Sequence, residues 1–558
     1  MNLSLTRTIF SLLLLCSAPW TGMAQKKDDP NVIGQTEDQV KLFNAKQAFF
    51  KGDYVKAINL YKEVLKDKPN DANVLFHVGE VYFAMEAYED AQEYFDKAYS
   101  IDPKGAEELL FYMGRVHHLM GDVDKAKEEY EQFRQQLNSD AKSKEYELDF
   151  LIQQCVTAKD LMAHPVKVVV SNAGDMINSS YDDKGPSMTA DGKTLVFTSR
   201  RPQGKSGQNV DKEGDFKYYD DIYTATWDET KQTWVEADLI KGSVNTEDHD
   251  AVTSISPDGK QIFIYRNNNT DARGGEIFVS KVQQSGKWGA PKNIGKPINT
   301  SYVELGACIS SDGQRLFFVS ERPKGGKPDQ KGYGQSDIWM STRLDKTHWG
   351  PPVNLGPDIN TPMDEGGIFL HPDGKTLFFS SDGHNTMGGY DIFMTRFENG
   401  KWSKPVNLGY PINSTRNDKC FVLSTDNKTA YFDSNRPGGT GERDIYKVDM
   451  SNYPIMGGDE TNSGPKVSIL KGTVILSESG QGTETEVIVR DKETGNEVAR
   501  TTSSPEGEYF FTLPGDKKYI IEVSMKGYVK VSEEFTLPSD KKGTFTMVKH
   551  LLLNKEKK

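Results

Sequence analysis

The chain has 558 residues, 36% hydrophobic and 10% aromatic, a length and content that call for several cores rather than one. Its net charge of −13, with no basic block, excludes the electrostatic footprint of a nucleic-acid-binding protein and leaves proteins, glycans or small cations as partners.

The first residues, "MNLSLTRTIFSLLLLCSAPWTGMAQKK", place Arg7 before an apolar run from Ile9 to Cys16, with Gly22-Met23-Ala24 following. This pattern predicts a secretory signal at 1–24 and a mature chain from Gln25, the apolar run being too short to span a membrane. Acylation of Cys16 is the alternative, although Leu15 stands where a lipoprotein signal places a small residue. Cys155, Cys308 and Cys420 include no CxxC pair, so buried thiols are expected rather than a disulfide framework or a zinc site.

Helical spacing begins near Gln39. "GDYVKAINLYKEVLKDKPND" from Gly52 returns as "EAYEDAQEYFDKAYSIDPKG" from Glu86 and as "GDVDKAKEEYEQFRQQLNSD" from Gly121, a period of about 34 residues. Ala57, Tyr61, Pro69, Gly79, Tyr82, Tyr88, Ala91, Phe95, Ala98 and Pro103, then Gly114, Ala126 and Tyr130, resemble the tetratricopeptide (TPR) pattern. An all-α solenoid over 38–163 is expected, with Lys144 to Met162 as one capping helix. The resemblance implies a groove that binds peptides or partner proteins. His117 and His118, adjacent on a helix, face different ways and read as surface or packing residues rather than a metal pair.

From Val166 the pattern changes. Five times an Asn precedes a turn dipeptide by 13 residues: Asn178, Asn245, Asn299 and Asn360 before Asp-Gly, and Asn413 before Asp426-Asn427. Five residues after each Asn stands an acid: Asp183, Asp250, Glu304, Glu365 and Asp418. A β-rich run such as "TLFFSS" follows each turn, then an acid-Ile start such as "DIFMTRF", and in four units a Trp (Trp234, Trp288, Trp349, Trp402) opens a fourth strand. Asp-Gly between alternating apolar runs is a hairpin signal, and four short strands per unit predict a propeller blade. The units resemble the PD40 (WD40-like, TolB-like) repeats of bacterial envelope proteins. The fifth unit ends after three strands, and "HPVKVVVSNAGDMIN" supplies a lone strand before the first. An all-β five-bladed propeller over 165–452, closed by that strand, is therefore expected, with six blades as the alternative. Inserts at Gly204–Asp220 and Gly325–Ser336 fall on the face that carries the acids.

A polar, Gly-rich linker at 453–466 leads to alternating Val/Ile runs over 467–553 that predict an antiparallel sandwich of about seven strands. Thr494-Gly495, Gly507-Glu508-Tyr509 and Gly527-Tyr528 resemble the non-catalytic carboxypeptidase-regulatory-like, or transthyretin-like, module.

No GxSxG, HExxH, Walker or dinucleotide-binding motif occurs, so no catalytic, cofactor-binding or metal residues are assigned. The candidate interaction residues are the five acids with Arg201, Arg322 and Arg436, which follow the second strands of units one, three and five. Pairing of acid with Arg at a structural corner is the first reading of these residues, and a ligand or cation site the second. The complete order of modules resembles Bacteroidota envelope proteins of the PorE type, associated with type IX secretion. Those relatives continue into an OmpA-like peptidoglycan-binding domain, whereas this chain stops at "LLLNKEKK". The expectation is a non-catalytic periplasmic scaffold associated with the outer membrane, docking other envelope proteins through the groove and the propeller face, without peptidoglycan binding. A glycan- or ligand-binding propeller is one alternative. A propeller glycosidase, using paired carboxylates, is the other.

Overall fold

The computed structural model describes residues 37–137, 139–202, 207, 210–211, 216–267, 274–322, 332–345, 347–453, 467–538 and 544–556. The signal expected at 1–24, most of the 453–466 linker and parts of both inserts lie outside them.

The N-terminal region is helical: α1 (Glu37–Phe50), α2 (Tyr54–Asp67), α3 (Ala72–Ala84), α4 (Tyr88–Ile101), α5 (Leu109–Met120), α6 (Val123–Leu137), α7 (Asp140–Glu145) and α8 (Leu148–Ala163). Asp53 and Asp71 cap α2 and α3 by accepting from the backbone N–H three residues on. The repeated small residues act by close approach. A Cβ on Gly79 would lie 2.5 Å from the Phe95 ring, and one on Gly114 would lie 2.7 Å from Tyr130. His117 and His118 are buried; His117 Nδ1 donates to Glu129 at 2.7 Å and its Nε2 accepts from Gln92 at 3.1 Å, a packing role. The single capping helix expected over Lys144 to Met162 is two helices, α7 and α8, parted at Tyr146-Glu147. The Tyr146 ring packs 5.0 Å from both Phe111 and Phe133, and its hydroxyl donates to Glu108, which draws the chain off the helical path.

The rest is β-rich. Five antiparallel meanders follow in chain order. Their first strands (position a) are Asp183–Met188, Ala251–Ile255, Glu304–Ile309, Glu365–Leu370 and Asp418–Leu423; the second (b) are Thr194–Ser199, Gln261–Arg266, Arg315–Ser320, Thr376–Ser381 and Thr429–Ser434. The third (c) are Asp221–Asp228, Glu276–Lys281, Asp337–Thr342, Asp391–Glu398 and Asp444–Asp449. Each a-strand contacts the next, and the fifth contacts the first. Val169–Asn172 pairs with Asp444–Asp449 and supplies the fifth meander's fourth strand. The second turn position has positive φ in every a–b hairpin: Gly192, Gly259, Gly313, Gly374 and, in the fifth, Asn427 at 62°.

The continuous fourth strand expected from each Trp is instead interrupted. Trp234 and Trp402 sit in two-residue stubs, Trp288 and Trp349 in isolated bridges, and separate stubs follow at Asp238–Leu239, Lys292–Asn293, Val353–Asn354 and Val406–Asn407. Pro291, Pro352 and Pro405, which have no N–H to donate, fall in three of the four gaps. Tyr453, assigned to the linker by sequence, packs against the fifth meander and donates to Leu408 O at 3.2 Å.

The C-terminal strands form two four-stranded sheets, eight strands rather than about seven. Val467–Leu476 pairs antiparallel with Glu508–Pro514 and parallel with Thr546–Val548 and Leu551–Leu553. The second sheet runs in the order Glu497–Thr502, Glu486–Asp491, Lys517–Val523, Val531–Leu537. Leu470, Val474, Tyr509 and Phe511 of the first sheet share a core with Val487, Tyr519, Ile521 and Phe535 of the second. These sheets touch the meanders on the a–b turn side: Lys260 with Glu508 at 3.1 Å, Gln284 with Glu506 at 3.0 Å, and Thr512 Oγ1 donating to Pro372 O at 2.6 Å.

Candidate functional site

The repeated Asn and acid build one corner five times. Each Asn side chain binds the Ile of a c-strand start (Ile445, Ile222, Ile277, Ile338 and Ile392), accepting from its N–H at 2.7–3.1 Å and donating to its C=O at 2.8–3.1 Å. The amide thus behaves as one residue of an added strand and joins neighbouring meanders. The residue after each Asn is Ser179, Thr246, Thr300, Thr361 or Ser414. Its hydroxyl lies 2.6–2.7 Å from the acid and its backbone N–H donates to that same acid. Immediately beyond, each a-strand has a register shift that bends it at this corner.

Asp183, Asp250, Glu304, Glu365 and Asp418 are at most 1% exposed, so their carboxylates are part of the corner rather than of an open face. Arg201 reaches Asp183 at 3.1 Å, Arg436 reaches Asp418 at 2.6 Å, and Arg322 lies 3.7 Å from Glu304. These arginines also donate to the C=O of Ile177, Ile412 and Ile298, just before the Asn. Two members of the set were not singled out by sequence. Arg266, the last residue of its b-strand, pairs with Asp250 and donates to Val244 O. In meander four the place is taken by His384, whose Nε2 donates to Ile359 O at 2.8 Å. Burial lowers the His384 pKa, so near neutral pH this corner holds no cation. Burial accordingly pushes Glu365 up to about 8, opposed only by hydrogen bonds from Thr361 and Ser381, while Asp337 nearby raises it further. Glu304 and Asp183 are also raised by burial, with their arginines opposing. The Ser/Thr partners were legible in the sequence, since every repeat Asn is followed by one.

Beside these corners lies a second set of charges that sequence did not single out. Lys184 bridges Asp182 and Asp220 at 2.8 Å each; Asp220 also takes Arg200 and His249, and Arg443 lies against Asp182 and Asp433. Among the described residues no group of three or more His, Cys, Asp or Glu is placed to hold a metal ion.

In the helical region a cleft of about 270 Å³ opens between α1 and α3. Leu42, Phe43 and Lys46 form one wall, Asn73 and His77 the other, with Tyr61 between them. Phe43 is 61% exposed, and His77 stacks on Tyr61 while contacting Glu80 at 2.5 Å. Such a cleft offers an apolar surface beside the Lys46 cation, the Asn73 amide and the Asp71 carboxylate.

Residues 51–96 and 108–136 match tetratricopeptide-repeat family models. The N-terminal helices are tetratricopeptide repeats. Among solved structures the chain is similar to the TPR domain of Sgt2 from Aspergillus fumigatus (23% identity over 24% of this chain and 84% of that one, TM-score 0.21). It is also similar to the TPR2B domain of yeast Sti1, solved as a complex with pHsp70 (19%, 21% and 95%, TM-score 0.20). A periplasmic gluconolactonase from Pseudomonas aeruginosa aligns at 13% identity over 64% of this chain and 86% of its own, with a TM-score of 0.25. No curated protein matches the sequence.

Proposed function

We propose that this protein is a non-catalytic scaffold, exported to the periplasm and held at the outer membrane, that assembles an envelope complex of the kind associated with type IX secretion. On this reading the cyclic set of five meanders is a five-bladed propeller, and the C-terminal sheets are a transthyretin-like sandwich that stiffens it. The observation that carries the reading is the TPR cleft with Phe43 standing 61% exposed at its edge, an apolar side chain that the described fold leaves without a core. The signal-like start and the module order of the sequence supply the envelope setting.

A photo-crosslinking residue placed at Phe43 in the native envelope tests this. A discrete partner should be captured there and lost on Asn73→Asp, and the mature N-terminus read by mass spectrometry should be Gln25. Crosslinks from the exposed Tyr302 but none from Phe43 would move docking to the meanders, and an acylated Cys16 would replace periplasmic export with a membrane tether.

A further inference from the structure

The cleft between α1 and α3 joins an apolar wall to a set of acceptors that lack a cation. Leu42 and Phe43 make the wall, and Lys46 is exposed, its ammonium 5.8 Å from the centre of the Phe50 ring. Tyr61 lines the cleft and is only 3% exposed, yet among the described residues its hydroxyl has no hydrogen-bond partner. The His77 ring stacked on it contacts Oε2 of Glu80 at 2.5 Å. Glu80 lies one turn beyond His77 on the same face of α3. Burial, then the Glu80 charge, raises the pKa of Tyr61 and also that of Tyr112 on α5, whose ring packs among Phe76, Phe83 and Phe95. Glu108, at the start of α5, accepts the Tyr146 hydroxyl on Oε1 at 2.8 Å. Burial raises its pKa, Tyr146 opposes, and the Glu80 charge adds to the rise. Both glutamates are half-buried, and among the described residues neither has a Lys or Arg partner. Oε1 of Glu80, Oε2 of Glu108 and the hydroxyls of Tyr61 and Tyr112 make no hydrogen bond among the described residues.

We propose that the protein segment docked in this cleft is basic: an arginine of the partner, flanked by apolar residues, enters beside Tyr61 and is received by Glu80 and Glu108. The inference rests on the docking reading above and adds the chemistry of the partner. A guanidinium brings several N–H donors in a fixed plane, and the groups left open here are carboxylate oxygens and hydroxyls that can accept them. It also supplies the countercharge that the two half-buried glutamates lack. An acidic segment would meet both charges as repulsion. A neutral apolar segment would cover them unpaired, at a desolvation cost. The flanking apolar residues pack on Leu42 and Phe43. Asn73, about two turns before Glu80 on α3, is left to donate its amide to the backbone of the segment.

Fluorescence-anisotropy titration of the full chain with a labelled, amidated peptide of alternating leucine and arginine tests this. Two further peptides carry citrulline, the neutral isostere, or glutamate in place of arginine. The arginine peptide should bind saturably and at least about tenfold tighter than the citrulline peptide, with the glutamate peptide weakest. Glu80→Gln should weaken the arginine peptide by about tenfold and leave the citrulline peptide unchanged, and Glu108→Gln should do the same independently. Phe43→Ala should weaken both peptides alike. Asp96→Asn, which removes an exposed charge on α4, should change neither. Melting followed by helical circular dichroism should find both glutamine variants as stable as wild type, because each relieves the repulsion between Glu80 and Glu108. Equal binding of the arginine and citrulline peptides, both weakened by Phe43→Ala, leaves the docking reading standing and overturns the basic partner. Arginine-peptide binding that neither glutamine variant weakens, or that Asp96→Asn weakens as much, reports only the overall negative charge and overturns it too. Failure of all three peptides to bind overturns it as well. Loss of binding in Glu80→Gln with none in Phe43→Ala keeps the cation site and removes Phe43 as the docking edge.

Discussion

Meanders four and five carry the same corner with one substitution at its centre. In five, Arg436 closes on Asp418 at 2.6 Å and also donates to Pro411 O and Ile412 O; in four, His384 reaches only Ile359 O, and Glu365 is left with hydroxyl and amide donors. The backbone path is nonetheless the same, with Asn360 and Asn413 making the same pairs to Ile338 and Ile392. The Asn and the Ser/Thr–acid contact therefore set the geometry, and the cation sets the charge state of the acid within it.

That division can be broken from either side, and the tryptophans make it measurable. Apart from Trp20, every tryptophan of the chain lies in the meanders, so fluorescence-detected urea unfolding of the full chain reports on that region alone. The largest effect is expected from Asn413→Ala, which orphans the buried Ile392 N–H and C=O and the Asn407 side chain; a loss of about 4–6 kcal/mol is expected, and a loss below about 2 would show that the amide is dispensable. Arg436→Leu leaves Asp418 buried without its cation and should destabilise by about 3–4 kcal/mol.

Glu365→Gln should act in the opposite direction at high pH. The folded-state pKa of Glu365 is raised from 4.5 to about 8, so the folded protein holds this proton more tightly than the unfolded chain. The contribution of Glu365 to stability is then full below about pH 4.5 and is lost as pH rises through about 8. Gln can present its carbonyl to the Thr361 N–H and its amide to the Thr361 and Ser381 hydroxyls, which rotate to accept. The variant should gain about 2–3 kcal/mol over wild type at alkaline pH and show no such slope; an unchanged pH profile would mean that Glu365 is ionised without penalty. The smallest effect, about 1 kcal/mol, is expected for His384→Leu, which removes one neutral hydrogen bond where Arg436→Leu removes an ion pair.

Much of this arrangement could be read from the sequence. The period of about 34 residues marked the tetratricopeptide repeats, and the fixed Asn-to-turn spacing marked the β-rich units, because both are enforced by contacts between neighbouring repeats. Arg201, Arg322 and Arg436 were found because they repeat. Arg266 was passed over because it reaches the same acid from a different register, at the strand end itself, and His384 because it is a different residue type. The contact of the Lys419 ammonium with the Tyr390 ring had no signal in its own segment. It depends on Tyr390, which belongs to the preceding meander. The break between α7 and α8 escaped for a similar reason, since it follows from where the Tyr146 ring packs rather than from a helix-breaking residue.

The corner also bears on chemical ageing. Asn178-Ser179 and Asn413-Ser414 are sequences in which an asparagine deamidates when the following backbone nitrogen attacks the side-chain carbonyl. Here the nitrogens of Ser179 and Ser414 are held at 2.6 Å by Asp183 and Asp418, and the amides are clamped on both sides by Ile445 and Ile392. The attacking atom and its target are thus both immobilised in every repeat. A fold whose joints rest on asparagine thereby protects the residue most apt to decay.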